Sequence, residues 1–184
     1  MNSGIIASRY AKAFLKFVQE SGSGNISYSQ ACDIVRIMDE IPQLKEFITD
    51  AVDISADKKI ELLSTALGTA IDASISRFLT MVTDHRRLEY FPRMLMSFIE
   101  QYRIANNIKV GTLVTAVEND GLRARLEGLL GDKTGAQVLL EEKVSPEIIG
   151  GFVFELDGYR LDASVENHLD RISRQLVEKN NRIV

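Results

Sequence analysis

Gly131-Asp132-Lys133-Thr134, with Gly128 upstream, is the stretch whose residue types come nearest to a phosphate-binding loop. Such a loop puts a glycine directly before the lysine, between a strand and a helix, so that backbone N–H groups cradle phosphate oxygens. Here Asp132 separates the two, and the pattern predicts a loop over 131–135 that follows a helix and precedes a strand. Gly150-Gly151 is not a dinucleotide fingerprint either. It leads into a strand, where a glycine pair serves a bend or a close backbone approach. His85 and His168 are the only histidines and stand far apart, without the spacing of a zinc site. Cys32 is the single cysteine, with neither a base nor further ligands near it in sequence, so a structural role is expected. No G-x-S-x-G frames a nucleophilic serine, and the carboxylates are scattered. His85-Arg86-Arg87 is a basic corner that is either solvated and helix-capping or a small anion site. The expectation is a chain with no catalytic residue, no cofactor and no metal.

Bulk properties narrow the class further. The chain has 184 residues, 45% of them hydrophobic and 26% charged, which is the ordinary globular range. A net charge of −4 gives no electrostatic reason to bind nucleic acid. No run of eighteen apolar residues exists, so no membrane-spanning helix is expected. The first residues lack the pattern of a signal peptide, and one cysteine cannot form an internal disulfide, which fits a reducing compartment. Tryptophan is absent and proline is confined to Pro42, Pro92 and Pro146, which favours helices.

The elements follow from periodicity. Residues 3–20 predict a helix whose polar positions Arg9, Lys12, Lys16 and Gln19 form one narrow stripe. The remainder is apolar over more than half the circumference, although a surface helix needs an arc of only about 100°. Either this helix is central to its own bundle, or one side packs inward and the other receives a partner helix. Ser21 to Asn25 predicts a break. A second helix over 27–41 carries Ala31, Ile34, Val35, Met38 and Ile41 inward. A short third, opened by Pro42, carries Leu44, Phe47 and Ile48. Ser55 caps a fourth, lined by Ile60, Leu63, Ala66 and Leu67 and ended by Gly68. The fifth, over 72–84, carries Ile75, Phe78, Leu79, Met81 and Val82 and is again apolar on more than one side. The sixth carries Leu88, Phe91, Leu95, Phe98, Ile99 and Tyr102, with Pro92 tolerated in its first turn.

Asn106-Asn107 marks a change of period. Residues 110–117 alternate and are rich in β-branched types, which predicts a strand. A helix over 118–130 follows, with Leu122, Leu126, Leu129 and Leu130 buried. Strands are expected over 136–142, 150–156 and 159–161. Asp157-Gly158 forms a two-residue hairpin turn, since a type I′ turn needs positive φ at both central positions. Asp162 or Ser164 caps a last helix with Val165, Leu169, Ile172 and Leu176 inward, and residues 180–184 are expected to fray. The fold class is therefore α+β, mostly α. An N-terminal six-helix bundle (1–106) precedes a small α/β domain (107–184) with a short sheet and a C-terminal helix. The excess apolar surface on the first and fifth helices points to helix-in-groove binding.

Certain residues carry a family resemblance. Ser8-Arg9-Tyr10-Ala11-Lys12-Ala13 resembles the opening signature of the delta subunit of the rotary ATP synthase, the homologue of the mitochondrial oligomycin-sensitivity-conferring subunit. Arg87-Leu88 and Pro92 resemble its central motif. Thr134-Gly135, Glu141 to Val144 and the run Ile148 to Val165 resemble its C-terminal signature. The order is right over essentially the whole chain. Where the family has Asp-Gly-Ser-Val-Arg, this chain has Asp162-Ala163-Ser164-Val165-Glu166, so Ala163 replaces a glycine and Glu166 a basic residue.

The resemblance implies a non-catalytic stator subunit that links the catalytic head to the peripheral stalk, so that the head does not turn with the rotor. It implies an N-terminal domain that grips the N-terminal helices of the alpha subunits between its first and fifth helices. Carried onto this chain, that groove is Tyr10, Ala13, Phe14 and Phe17 with Phe78, Met81 and Val82. It implies a C-terminal domain that holds the C-terminal ends of the b subunits. Its signature residues here are Gly150, Gly151, Asp157, Gly158, Asp162, Ser164 and Val165. It further implies a place at the cytoplasmic side of the bacterial inner membrane, reached only through the complex. The alternative is a helical adaptor that binds amphipathic helices outside the ATP synthase.

Overall fold

A computed structural model describes the backbone of residues 3–50 and 54–180, with side chains for 4–50 and 54–174. The chain divides into two compact units, Met1–Asn106 and Asn107–Val184. Among the described residues it holds eight α-helices and four strands, so the fold class is α+β, mostly α.

The first unit contains α1 (Ser3–Ser21), α2 (Gly24–Glu40), α3 (Pro42–Asp50), α4 (Ala56–Leu67), α5 (Ala73–Asp84), a 3-10 turn at Leu88–Tyr90, and α6 (Phe91–Ala105). Its centre is α6, which buries Phe91, Pro92, Met94, Leu95, Phe98, Ile99 and Tyr102. Pro92 sits in the first turn, where its missing N–H has no intrahelical partner to lose. It buries several large aromatic and aliphatic side chains, each worth about 1.5–3 kcal/mol. Asp72 caps α5: its Oδ2 accepts from the Ser74 N–H at 3.0 Å and from Ser27 Oγ at 2.9 Å, which also ties α2 to that end.

Packing overrides the sequence reading in four places here. The break after α1 is only Gly22-Ser23, because α2 already starts at Gly24. A Cβ on Gly24 would lie 3.1 Å from the Tyr102 ring, and the Tyr102 hydroxyl donates to Asn25 Oδ1 at 2.6 Å, so the tyrosine orders residues whose types favour a turn. Ile41, expected inward, is 44% exposed, because it is the C-cap residue and its extended backbone leaves the helical face. Phe47 is also exposed; the nine-residue α3 buries only the i, i+4 pair Leu44 and Ile48. In α4 the buried row is Lys59 and Leu63, with Ile60 and Leu67 half-buried and Ala66 exposed.

The second unit contains β1 (Ile108–Thr115), α7 (Asp120–Thr134), β2 (Gln137–Val144), β3 (Gly151–Leu156), β4 (Tyr159–Ser164) and α8 (Val165–Asn180). The sheet order is β2-β1-β3-β4. β1 and β2 are parallel, joined by the α7 crossover, whereas β1–β3 and β3–β4 are antiparallel. Leu113, Val138, Leu140 and Leu156 form its core, with Leu126, Leu130, Phe152 and Phe154 packed against them.

Three expectations fail in this unit. The loop expected over 131–135 is helix as far as Thr134, and Gly135 ends it with φ +62. No residue of α7 is fully buried and Leu129 is 50% exposed, because one small sheet face needs only the Leu126 and Leu130 row. The row Val165, Leu169 and Ile172 on α8, expected inward, is exposed. The side chain of Leu176 and the residues after 180 lie outside what the structure describes.

Candidate functional site: an apolar cleft between two helices

The first helix and the fifth meet through aromatic rings. Phe14 stacks on Phe78 with centroids 4.4 Å apart and an interplanar angle of 20°, and it also meets Phe98 at 4.6 Å. Tyr10 lies edge-on to His85 at 6.3 Å, and Ser23 Oγ is 2.8 Å from Ser74 Oγ. As residue numbers rise along α1 they fall along α5, so the helices run antiparallel. Between them opens a cleft of about 260 Å³ lined by Ala13, Phe14, Phe17, Ser74, Arg77, Phe78 and Met81.

Local sequence explains this lining. On α5, Ser74, Arg77, Phe78 and Met81 stand at i, i+3, i+4 and i+7, which is one helix face. Phe14 and Phe78 are buried and form the floor, whereas Phe17 (37%) and Met81 (36%) are exposed rims. Of the seven groove residues expected, the structure brings together Ala13, Phe14, Phe17, Phe78 and Met81. Val82 is fully buried, one turn along α5 from Phe78, and does not line the cleft. Tyr10 is half-buried just beyond it, where its hydroxyl accepts from Arg87 Nη1 at 2.9 Å. Sequence reasoning missed Ser74 and Arg77. Both are helical neighbours of Phe78 and Met81, and that spacing could have found them.

The C-terminal signature residues gather at the hairpin of β3 and β4 and the start of α8. Asp157 (φ 51) and Gly158 (φ 79) supply the two positive φ angles of the turn. Asp157 Oδ2 also pairs with Lys109 Nζ at 2.7 Å. Gly151 has φ +81 and faces the Ala163 backbone, leaving no room for a Cβ. The Gly150 carbonyl accepts from the Val165 N–H at 2.9 Å. Ser164 caps α8: its Oγ accepts from the Asn167 N–H at 3.2 Å and donates to Asp162 Oδ1 at 2.6 Å. These hydrogen bonds from Ser164 hold the Asp162 carboxyl below its ordinary range. Gly150, Gly151, Asp157, Gly158, Asp162, Ser164 and Val165 thus form one backbone device that closes the hairpin and starts the helix.

The other chemical candidates stay dispersed. His85 and His168 are exposed and lie in different units. Cys32 is half-buried, and burial pushes its thiol pKa up, away from a reactive thiolate. Among the described residues no group of three or more His, Cys, Asp and Glu could hold a metal.

By architecture this is a two-unit α+β protein, with a helical unit carrying an apolar cleft ahead of a small α/β unit. Residues 6–176 match the family described as "ATP synthase delta (OSCP) subunit". The ATP synthase subunit delta of Phocaeicola vulgatus is 35% identical over 186 residues, covering 100% of both chains. That of Bacteroides thetaiotaomicron is 33% identical over 187 residues, again covering 100% of both. A chain in the cryo-EM structure of the Toxoplasma gondii mitochondrial ATP synthase hexamer has the same fold. Its TM-score is 0.56 at 21% identity, with 93% of this chain and 97% of that chain covered. The chain belongs to the ATP synthase delta (OSCP) subunit family, whose members are non-catalytic structural subunits of the ATP synthase.

Proposed function

We propose that this chain is a stator subunit, which ties the catalytic head of a proton-translocating ATP synthase to its peripheral stalk and so keeps the head from turning with the rotor. The six helices of residues 1–106 act as one bundle that holds an N-terminal helix of an alpha subunit. Residues 107–184 hold the C-terminal ends of the b subunits. The protein sits peripherally at the cytoplasmic side of a bacterial inner membrane and reaches it only through the complex. No described helix is long and apolar enough to cross a membrane.

The observation that carries this reading is the cleft between α1 and α5, whose walls are apolar and whose rims, Phe17 and Met81, are exposed. Such a cleft suits the apolar face of an amphipathic helix. Static holding needs slow release more than chemistry. Two linked sites provide it, because binding by one unit raises the effective concentration at the other.

Binding of the chain to the isolated catalytic head tests the proposal. Phe17→Asp and Met81→Asp should each weaken binding by about tenfold or more, because a bound helix would strip water from a carboxylate set among the apolar rims, with an unchanged circular dichroism spectrum. Phe14→Asp is the wrong probe, because Phe14 is 3% exposed and a carboxylate there would disrupt the core. Unchanged affinity in both rim variants would sink the assignment.

A further inference from the structure

We infer that Arg77 is a positioning residue for the helix that occupies this cleft: it receives an acidic side chain of the incoming helix and so fixes that helix's register and direction. The inference rests on reading the cleft as a helix-binding groove. Arg77 is the only charged residue among the seven that line it. It is exposed, and it makes no ion pair or hydrogen bond among the described residues. Asp57 and Asp84 share with it the neighbouring groove along α4 and α5, yet neither is paired with it among the ion pairs of the described residues. The other polar liner, Ser74, already shares a hydrogen bond with Ser23. At the Tyr10 end of α1, Arg87 is engaged with the Tyr10 hydroxyl.

A helix laid in the cleft would strip water from one side of the guanidinium. A desolvated charge must find a partner or it weakens binding. Arginine presents a planar fork of donors that matches a carboxylate. Apolar rows alone would let a helix slide by a turn or reverse, whereas one charged contact specifies register, as a single polar core position does in coiled coils. The occupant is therefore an amphipathic helix with an aspartate or glutamate set within its apolar face.

The test measures the affinity of the full chain for the synthetic N-terminal helix of the same organism's alpha subunit, at low and high salt. Arg77→Met should weaken binding about threefold to tenfold and flatten the salt dependence, and Arg77→Glu should weaken it about tenfold or more. One Asp→Lys or Glu→Lys substitution in the peptide should restore affinity for Arg77→Glu while weakening binding to the unchanged chain. Met81→Asp is the control for the groove itself. If Met81→Asp abolishes binding while both Arg77 variants bind normally, the cleft holds a helix and the role of Arg77 is overturned. If the unchanged chain does not bind the peptide, the groove reading falls and this inference with it. Concentration-dependent dimerisation lost in Arg77→Glu would identify a second copy as the occupant and also overturn it.

Discussion

Arg87 Nη1 donates to the Tyr10 hydroxyl at 2.9 Å, and its guanidinium carbon stands 5.5 Å from the centre of the same ring. The two residues are 77 positions apart in sequence, one in α1 and one at the corner after α5. The corner backbone is specialised, with Arg86 at φ 54. Hydrogen bond and cation–π contact together clasp α1 to the corner beside the cleft. Two separate stretches that carry the family resemblance are thus one structural contact.

Tyr10→Phe keeps the ring contact and loses the hydrogen bond, so it should cost at most about 0.5 kcal/mol at this exposed site. Arg87→Ala loses both and should cost about 0.5–1.5 kcal/mol. Urea unfolding followed by circular dichroism would rank them. Equal costs would mean that the cation–π contact contributes nothing.

Lys59 is 0% exposed, and its Nζ has no hydrogen-bond partner among the described residues. Lys59→Met should stabilise the protein by about 1–3 kcal/mol, since it removes an unsatisfied buried donor while keeping the side-chain volume. Desolvation lowers the pKa of Lys59 from its ordinary value. Between that lowered pKa and about 10.4, the unfolded chain binds the proton and the folded chain does not, so stability rises with pH. Lys59→Met should reduce this rise in a pH series of urea midpoints.

Gly151→Ala should destabilise the second unit by at least about 1–3 kcal/mol, because the position combines φ +81 with a backbone neighbour where the Cβ would go. Hydrogen exchange should report the loss in β3 and β4. Gly158→Ala has the same strain without the clash and should cost less.

Asp162 is held below its ordinary pKa by its hydrogen bonds from Ser164. Its contribution is therefore present above the unfolded carboxyl pKa of about 3.9 and is lost as pH falls through the lowered folded value. Amide exchange in the first turn of α8 should accelerate over that acidic window, and Asp162→Asn should remove the pH dependence. Ser164→Ala removes the cap itself and should cost about 1 kcal/mol above the Asp162 titration, with a smaller cost below it, because the hydroxyl also donates to the Asp162 carboxylate.

Local pattern made much of the architecture legible. The row on α6 (Phe91, Leu95, Phe98, Ile99, Tyr102) is buried as its spacing requires, because a long amphipathic helix leaves one answer for which face turns inward; Leu88, expected on the same helix, is buried from the 3-10 turn that precedes it. The Asp157-Gly158 turn was equally plain, since few residue pairs tolerate positive φ twice. The same logic failed on α3, α7 and α8. A short helix, or one beside a small sheet, has too little neighbouring surface to cover every apolar position, so Phe47, Leu129 and Leu169 stay exposed.

Sequence by itself determined the mostly helical class, the change of character near residue 106, the family resemblance, and which helices bear surplus apolar surface. Those follow from periodicity and residue type, which act over a few neighbours. Only the tertiary structure decided that Phe14 is floor while Phe17 and Met81 are rim, that Val82 is buried away from the lining, and that Arg77 is the one charged residue among those that line the cleft. Exposure of an apolar side chain depends on which other helix arrives to cover it, and that contact is made between residues far apart in the chain.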